Sequence, residues 1–133
     1  MRKEFLPYQV VRNNAIRLAR RSWEEGFVPD VIYVSLRGGA YMGNVISEFF
    51  KLVRRGDRPS YYAAVVARSY RDIGEQDRVK VDGWTYDPAY LRTGDRVMLV
   101  DDIVDSGRTI NQLVDIIMDN ELPRGDLRVA VPD

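Results

Sequence analysis

The chain has 133 residues, enough to bury one hydrophobic core and too few for two ordinary domains. Hydrophobic residues at 45% and charged residues at 30% are globular values, and with no bilayer-length apolar run and no signal-peptide pattern at Met1-Arg2-Lys3 the expectation is a single cytoplasmic domain. Twenty basic and 20 acidic residues cancel, which argues against a nucleic-acid partner, while the lack of cysteine and histidine excludes disulfides, thiolate nucleophiles and the usual general base.

In chain order, Tyr8, Val11, Ala15, Ala19 and Trp23 recur at three- and four-residue intervals, predicting an amphipathic helix from Tyr8 to about Glu25. Gly26 ends it, Pro29-Asp30 turns, and Val31-Ile32-Tyr33-Val34 reads as a buried strand. A glycine turn, Ser35-Leu36-Arg37-Gly38-Gly39-Ala40, leads into a second helix whose apolar face is Met42, Val45, Ile46, Phe49, Phe50 and Val53. The glycine pair exposes backbone N–H groups and Arg37 carries a permanent charge, a combination that suits phosphate, although by itself a Gly-Gly turn before a helix more often marks a tight connection. Arg54 to Pro59 reads as a solvated polar turn.

Tyr61 to Ala67, rich in aromatic and β-branched residues, predicts a third strand. The charged stretch that follows, from Arg68 through Arg78, shows no helix face and reads as either a flexible linker or a mobile functional loop, with Val79 and Val81 alternating before Asp82-Gly83. Trp84 to Leu91 is a connector whose aromatics are expected to pack rather than stack on a base, and Arg92 to Asp95 is a turn.

The densest signal comes next. Val97 to Val100 is a short continuous apolar run, the mark of a strand buried on both faces. Asp101 and Asp102 follow at its end, then Asp105-Ser106-Gly107, then a helix marked by Thr109, Ile110, Leu113, Val114 and Ile117. A helix N-terminus with Gly107 and the hydroxyls of Ser106 and Thr109 attracts a phosphate, whereas the two acids repel it unless a sugar lies between. Carboxylates accept hydrogen bonds from sugar hydroxyls and hold Mg²⁺ through oxygen, so the implied ligand is a ribose phosphate. Asp105 reads both as a helix cap and, without any histidine, as the best available base. Asp126 to Val131 is a last strand, and the alternation of strands and helices predicts a parallel sheet with ligand at the carboxyl ends of its strands.

Four apolar residues, two acids, two apolar residues and Asp-Ser-Gly-Arg-Thr resemble the 5-phosphoribosyl 1-pyrophosphate (PRPP) signature of type I phosphoribosyltransferases. Beside it, Leu36-Arg37-Gly38-Gly39 is similar to that family's pyrophosphate loop, and Ser69-Tyr70 is similar to the start of the flexible catalytic flap of the hypoxanthine-guanine and xanthine-guanine enzymes. The resemblance runs from about Tyr8 to Val131 and implies an α/β fold, a Rossmann-like parallel sheet flanked by helices, over one domain spanning 1–133.

The implied activity is Mg²⁺-dependent transfer of ribose 5-phosphate from PRPP to a purine (hypoxanthine, guanine or xanthine), with release of pyrophosphate, in purine salvage. It assigns the ribose hydroxyls and metal to Asp101 and Asp102, catalysis to Asp105, the 5-phosphate to Ser106, Gly107, Arg108 and Thr109, the pyrophosphate to Leu36, Arg37, Gly38 and Gly39, and closure over the pyrophosphate to Ser69 and Tyr70. PRPP and a nucleobase are the expected small-molecule partners, with a homodimer or higher homo-oligomer as the expected assembly and no membrane partner. One departure stands out: the family's C-terminal hood, with its base-gripping Lys and aromatic segment, is missing. Either the chain is truncated, or its base pocket is built differently, by a partner subunit. The alternatives are a PRPP-binding regulator of the same fold without transferase activity, or a transferase for adenine, uracil or orotate.

Overall fold

The computed structural model describes residues 8–36, 39–54, 56, 60–71, 77–101, 107–119 and 127–131. Three helices, α1 (Tyr8–Glu24), α2 (Ala40–Val53) and α3 (Gly107–Met118), pack on a five-stranded sheet of β1 (Val31–Leu36), β2 (Tyr61–Arg71), β3 (Asp77–Trp84), β4 (Val97–Val100) and β5 (Leu127–Ala130). No helix among the described residues is long and apolar enough to cross a membrane.

β1 from Val31 to Val34 and all of β4 are apolar without interruption because helices cover both faces of the sheet. Ile32, Met98 and Val100 point to the side where Ala15 and Ala19 of α1 and Met42, Ile46 and Phe50 of α2 are buried. Val31, Tyr33, Val97 and Leu99 point the other way, onto Leu113 and Ile117 of α3. The helical spacings seen in the sequence thus mark the core faces at Ala15 and Ala19, at Met42, Ile46 and Phe50 and at Leu113 and Ile117, whereas Trp23 stays exposed.

The strand order is β3-β2-β1-β4-β5. β1 pairs in parallel with both β2 and β4, and β4 pairs in parallel with β5. The chain winds outward from β1 through β2 and then resumes on the other side with β4, so the order reverses between β1 and β4. Such a reversal opens a crevice at the carboxyl ends of the two central strands, where ligands of open α/β sheets bind.

Two expectations are corrected. The sheet is parallel except for the β2–β3 pair at one edge, and the charged stretch after Ala67 is strand at 68–71 and from 77 onward. β2 continues to Arg71 and pairs antiparallel with β3 through Ser69↔Val79 and Tyr70↔Arg78, leaving only residues 72–76 between them outside the described residues. β1 accompanies β2 only as far as Val66, and the β2–β3 register shifts between Val66 and Ala67, where the two strands leave the sheet as a ribbon. The apolar alternation that announces a strand is missing from Arg68 to Arg78, so pairing here is not legible from hydrophobic pattern.

Two local devices fix how the layers join. Gly26, at φ 83°, closes α1: its N–H donates to the Trp23 carbonyl at 3.0 Å and the Phe27 N–H donates to the Ser22 carbonyl at 2.9 Å, the paired bonds of a Schellman motif. The second device was hidden in the turn read as solvated. Arg54 donates to the Pro29 carbonyl and to Asp30 Oδ1, both at 2.7 Å, while Asp30 Oδ2 accepts the Arg96 N–H at 2.8 Å. One carboxylate therefore joins the end of α2 to the starts of β1 and β4.

Candidate functional site

Parallel register sets Val34 of β1 opposite Val100 of β4, so both strands end at the same edge, at the reversal of strand order. α2 begins four residues after β1 and α3 begins seven residues after β4. Each helix therefore brings its N-terminus, with its positive dipole end, to that edge.

The two connections touch. Gly39 caps α2 with no side-chain hydrogen bond, and its N–H donates to the Ser35 carbonyl at 2.9 Å. A Cβ on Gly39 would meet the Val100 carbonyl oxygen at 2.8 Å, the Ser35 carbonyl oxygen at 3.0 Å and Val34 Cγ2 at 3.1 Å. Its backbone is ordinary right-handed helix, φ −78° and ψ −4°, so glycine is required here for room rather than for conformation. One turn later a Cβ on Gly43 would meet the Tyr62 hydroxyl at 2.8 Å and Val34 Cγ2 at 2.9 Å. The start of α2 is pressed directly onto the ends of the central strands.

Asp101 completes the described edge. It is only 9% exposed, and its N–H donates to the Ala130 carbonyl at 3.1 Å, extending the β4–β5 ladder one residue past β4. A carboxylate is thereby placed beside the Gly39–Val100 contact. Among the described residues no three His, Cys, Asp or Glu side chains converge on one point. The all-oxygen character of Asp101 suits a hard cation that keeps most of its shell for water and substrate, as Mg²⁺ does.

Of the residues singled out from the sequence, Leu36, Gly39 and Asp101 are brought together at this edge. Gly107, Arg108 and Thr109 form the first turn of α3, which starts two residues before Thr109. Arg37, Gly38, Asp102, Asp105 and Ser106 lie outside the described residues. Ser69 and Tyr70 are strand residues of the ribbon, and because β2 runs parallel to β1 the ribbon rises from the same edge.

Tyr33, the tyrosine of β1, is no acid–base candidate for this edge. It is fully buried, and its hydroxyl donates to the Tyr86 carbonyl at 2.8 Å. Burial, and then the nearby Tyr86, Asp87 and Asp95, push its pKa well above the usual phenol value. The connector aromatics pack, as expected: Trp84 meets Tyr33 edge-on at 5.1 Å and Tyr86 stacks on Tyr61 at 5.3 Å. Sequence reasoning passed over Gly43. The available signal was a glycine inside a helix, which costs about 1 kcal/mol relative to alanine and so points to close packing.

Comparison with known proteins finds a family model, the phosphoribosyl transferase domain, matching residues 2–132. The hypoxanthine-guanine phosphoribosyltransferase of Cricetulus griseus is 29% identical over 121 residues, 88% of this chain and 55% of its own length. The enzyme of the same name from Canis lupus familiaris is 27% identical over 124 residues, 90% of this chain and 56% of its own. The chain thus spans about half the length of these curated relatives. A purine phosphoribosyltransferase structure from Pyrococcus horikoshii Ot3 superposes with a TM-score of 0.69 at 24% identity, covering 98% of this chain and 76% of that one.

Proposed function

The chain belongs to the phosphoribosyl transferase domain family, and on that premise we propose that it transfers ribose 5-phosphate from PRPP to a 6-oxopurine, releasing pyrophosphate. The observation that carries the reading is the contact of Gly39 with Val100 beside Asp101, which sets the pyrophosphate-loop segment against the segment that starts the PRPP signature. The substrate would lie across this junction. The names of the curated relatives support hypoxanthine or guanine as the base.

In this reading Leu36, Arg37, Gly38 and Gly39 hold the pyrophosphate through backbone N–H groups and the Arg37 guanidinium. Asp101 and Asp102 hold the ribose hydroxyls and the metal, and Ser106 to Thr109 hold the 5-phosphate at the start of α3. Bound Mg²⁺ would neutralise charge on the departing pyrophosphate. The sugar carries an oxocarbenium-like charge in the transition state, so the protein's task is to position it and stabilise the leaving group rather than to supply a nucleophile. Asp105 accepts the proton released from the base nitrogen. The ribbon carrying Ser69 and Tyr70 rises from the same edge, which supports a role for it in excluding water from the reacting sugar. A cytoplasmic homo-oligomer fits this role.

The test is to incubate the protein with PRPP, Mg²⁺ and a panel of bases, measuring pyrophosphate and nucleotide. Nucleotide is expected with hypoxanthine, guanine or xanthine. PRPP binding without turnover on any base would overturn the transferase reading in favour of a PRPP-binding regulator, and turnover with adenine, uracil or orotate alone would overturn the purine assignment made here.

A further inference from the structure

The first turn of α2 is held by three strands. Gly39 rests on Val100 of β4, Gly43 rests on Val34 of β1, and Tyr62 of β2 reaches the same turn with its hydroxyl. That hydroxyl donates to Asn44 Oδ1 at 2.6 Å and lies 3.4 Å from the Ala40 carbonyl oxygen. Ala40 is the first residue of α2, so the tie acts on the end of the helix that carries Gly39.

Where this turn meets the ends of the central strands it presents Gly39 and Gly43, which have no side chains to interlock, beside the buried Met42. Apolar packing sets the distance of the turn from the strands without fixing a direction. A hydrogen bond is directional and adds that constraint. A phenol is protonated at neutral pH, and partial burial moves the Tyr62 pKa further up, so its hydroxyl is available as a donor.

Resting on the transferase reading above, we infer that Tyr62 and Asn44 are positioning residues for the pyrophosphate half of the substrate. They hold the α2 end of the Leu36–Gly39 segment in register with Asp101. Ribose 5-phosphate is assigned to residues anchored on β4 and α3, which this tie does not touch. Loosening the tie therefore separates the two halves of one substrate: affinity for pyrophosphate falls and affinity for ribose 5-phosphate stays.

Tyr62→Phe and Asn44→Ala each remove one side of the bond, and both should be titrated calorimetrically with magnesium pyrophosphate and, separately, with ribose 5-phosphate. Loss of one net hydrogen bond is expected to weaken pyrophosphate binding about three- to tenfold. Ribose 5-phosphate affinity and kcat should stay within about twofold while KM for PRPP rises, and the double variant should lose little more than either single one. Unchanged pyrophosphate affinity in Tyr62→Phe, with wild type binding both ligands, overturns the inference alone. Equal loss of both ligands overturns it in favour of a general structural role. Wild-type protein that binds neither ligand overturns the transferase reading itself, and this inference with it.

Discussion

Gly39 and Val100 are in contact through backbone: a Cβ on the first would stand 2.8 Å from the carbonyl oxygen of the second, with the Ser35 carbonyl oxygen at 3.0 Å. Neither oxygen can swing aside as a flexible side chain would. Gly39→Ala must therefore move α2 off the end of β4, at a cost of about 1–3 kcal/mol by analogy with overpacked cores. In the proposed transferase the same displacement parts the segments assigned to pyrophosphate and ribose, so KM for PRPP should rise by more than about tenfold, as misplacement of a binding group commonly causes. Urea denaturation and steady-state kinetics check both, and a variant with the wild-type urea midpoint contradicts the close approach.

Ser69 and Tyr70 give a second expectation, because pairing and looping differ in hydrogen exchange. Backbone amides of a loop exchange freely, whereas those that bond across the β2–β3 ladder exchange only when it opens. Peptides covering 67–71 should exchange more slowly than unstructured chain, yet faster than β1 peptides, because a two-stranded ribbon is marginal without the rest of the sheet. Exchange at the intrinsic rate would restore the loop.

In the proposed reaction Asp105 takes the proton rather than holding the phosphate. Asp105→Asn keeps the shape and removes the basicity, so kcat should fall by about a hundredfold or more while the dissociation constant for PRPP, measured without base, moves by less than about threefold. Comparable losses in both would transfer Asp105 to the binding residues.

How much could be read from the residues follows from the range of the interactions. Val97 to Val100 announced a strand covered on both sides, and Gly26 announced the end of α1, because each depends on neighbours within a few positions. The PRPP-like segment was legible for the same reason: strand, acids and helix start are contiguous. The contact of Gly39 with Val100 was not, since it depends on which strands lie side by side and not on local pattern. Arg54 looked like a solvated turn because its partner, Asp30, is 24 residues away. The ribbon was missed because the apolar alternation that identifies strands reports burial of one face, and Arg68 to Arg78 carry no such pattern.

The Asp30 carboxylate leads to a prediction about stability apart from function. Asp30 and Arg54 side chains are 20% and 14% exposed, and the carboxylate also accepts the Arg96 N–H. Asp30→Ala removes the bonds to the Arg54 guanidinium and the Arg96 N–H, for a loss of about 2–4 kcal/mol, since hydrogen bonds to charged groups contribute more than neutral ones. The site sits at the opposite ends of β1 and β4, so KM for PRPP of the folded variant should match wild type. A raised KM with unchanged stability would mean that Asp30 acts on the substrate edge instead.

Tyr33 links stability to alkaline pH. The fold holds its phenolic proton more tightly than the unfolded chain does, through burial first and then the neighbouring Tyr86, Asp87 and Asp95. Above the free phenol value of 10.0, unfolding therefore releases a proton, and rising pH favours the unfolded state. The contribution is complete below that value and is lost as pH climbs toward the raised folded pKa, with a limiting slope of about 1.4 kcal/mol per pH unit for one proton. Tyr33→Phe should lose about 1 kcal/mol at pH 8 with its bond to the Tyr86 carbonyl, yet show a shallower decline between pH 10 and 11. Tyr62, whose pKa burial also raises, contributes with the same sign, so the variant keeps part of the slope. Urea midpoints taken every half unit from pH 8 to 11 measure the difference, and parallel curves for the two proteins would show that Tyr33 does not set the alkaline limit.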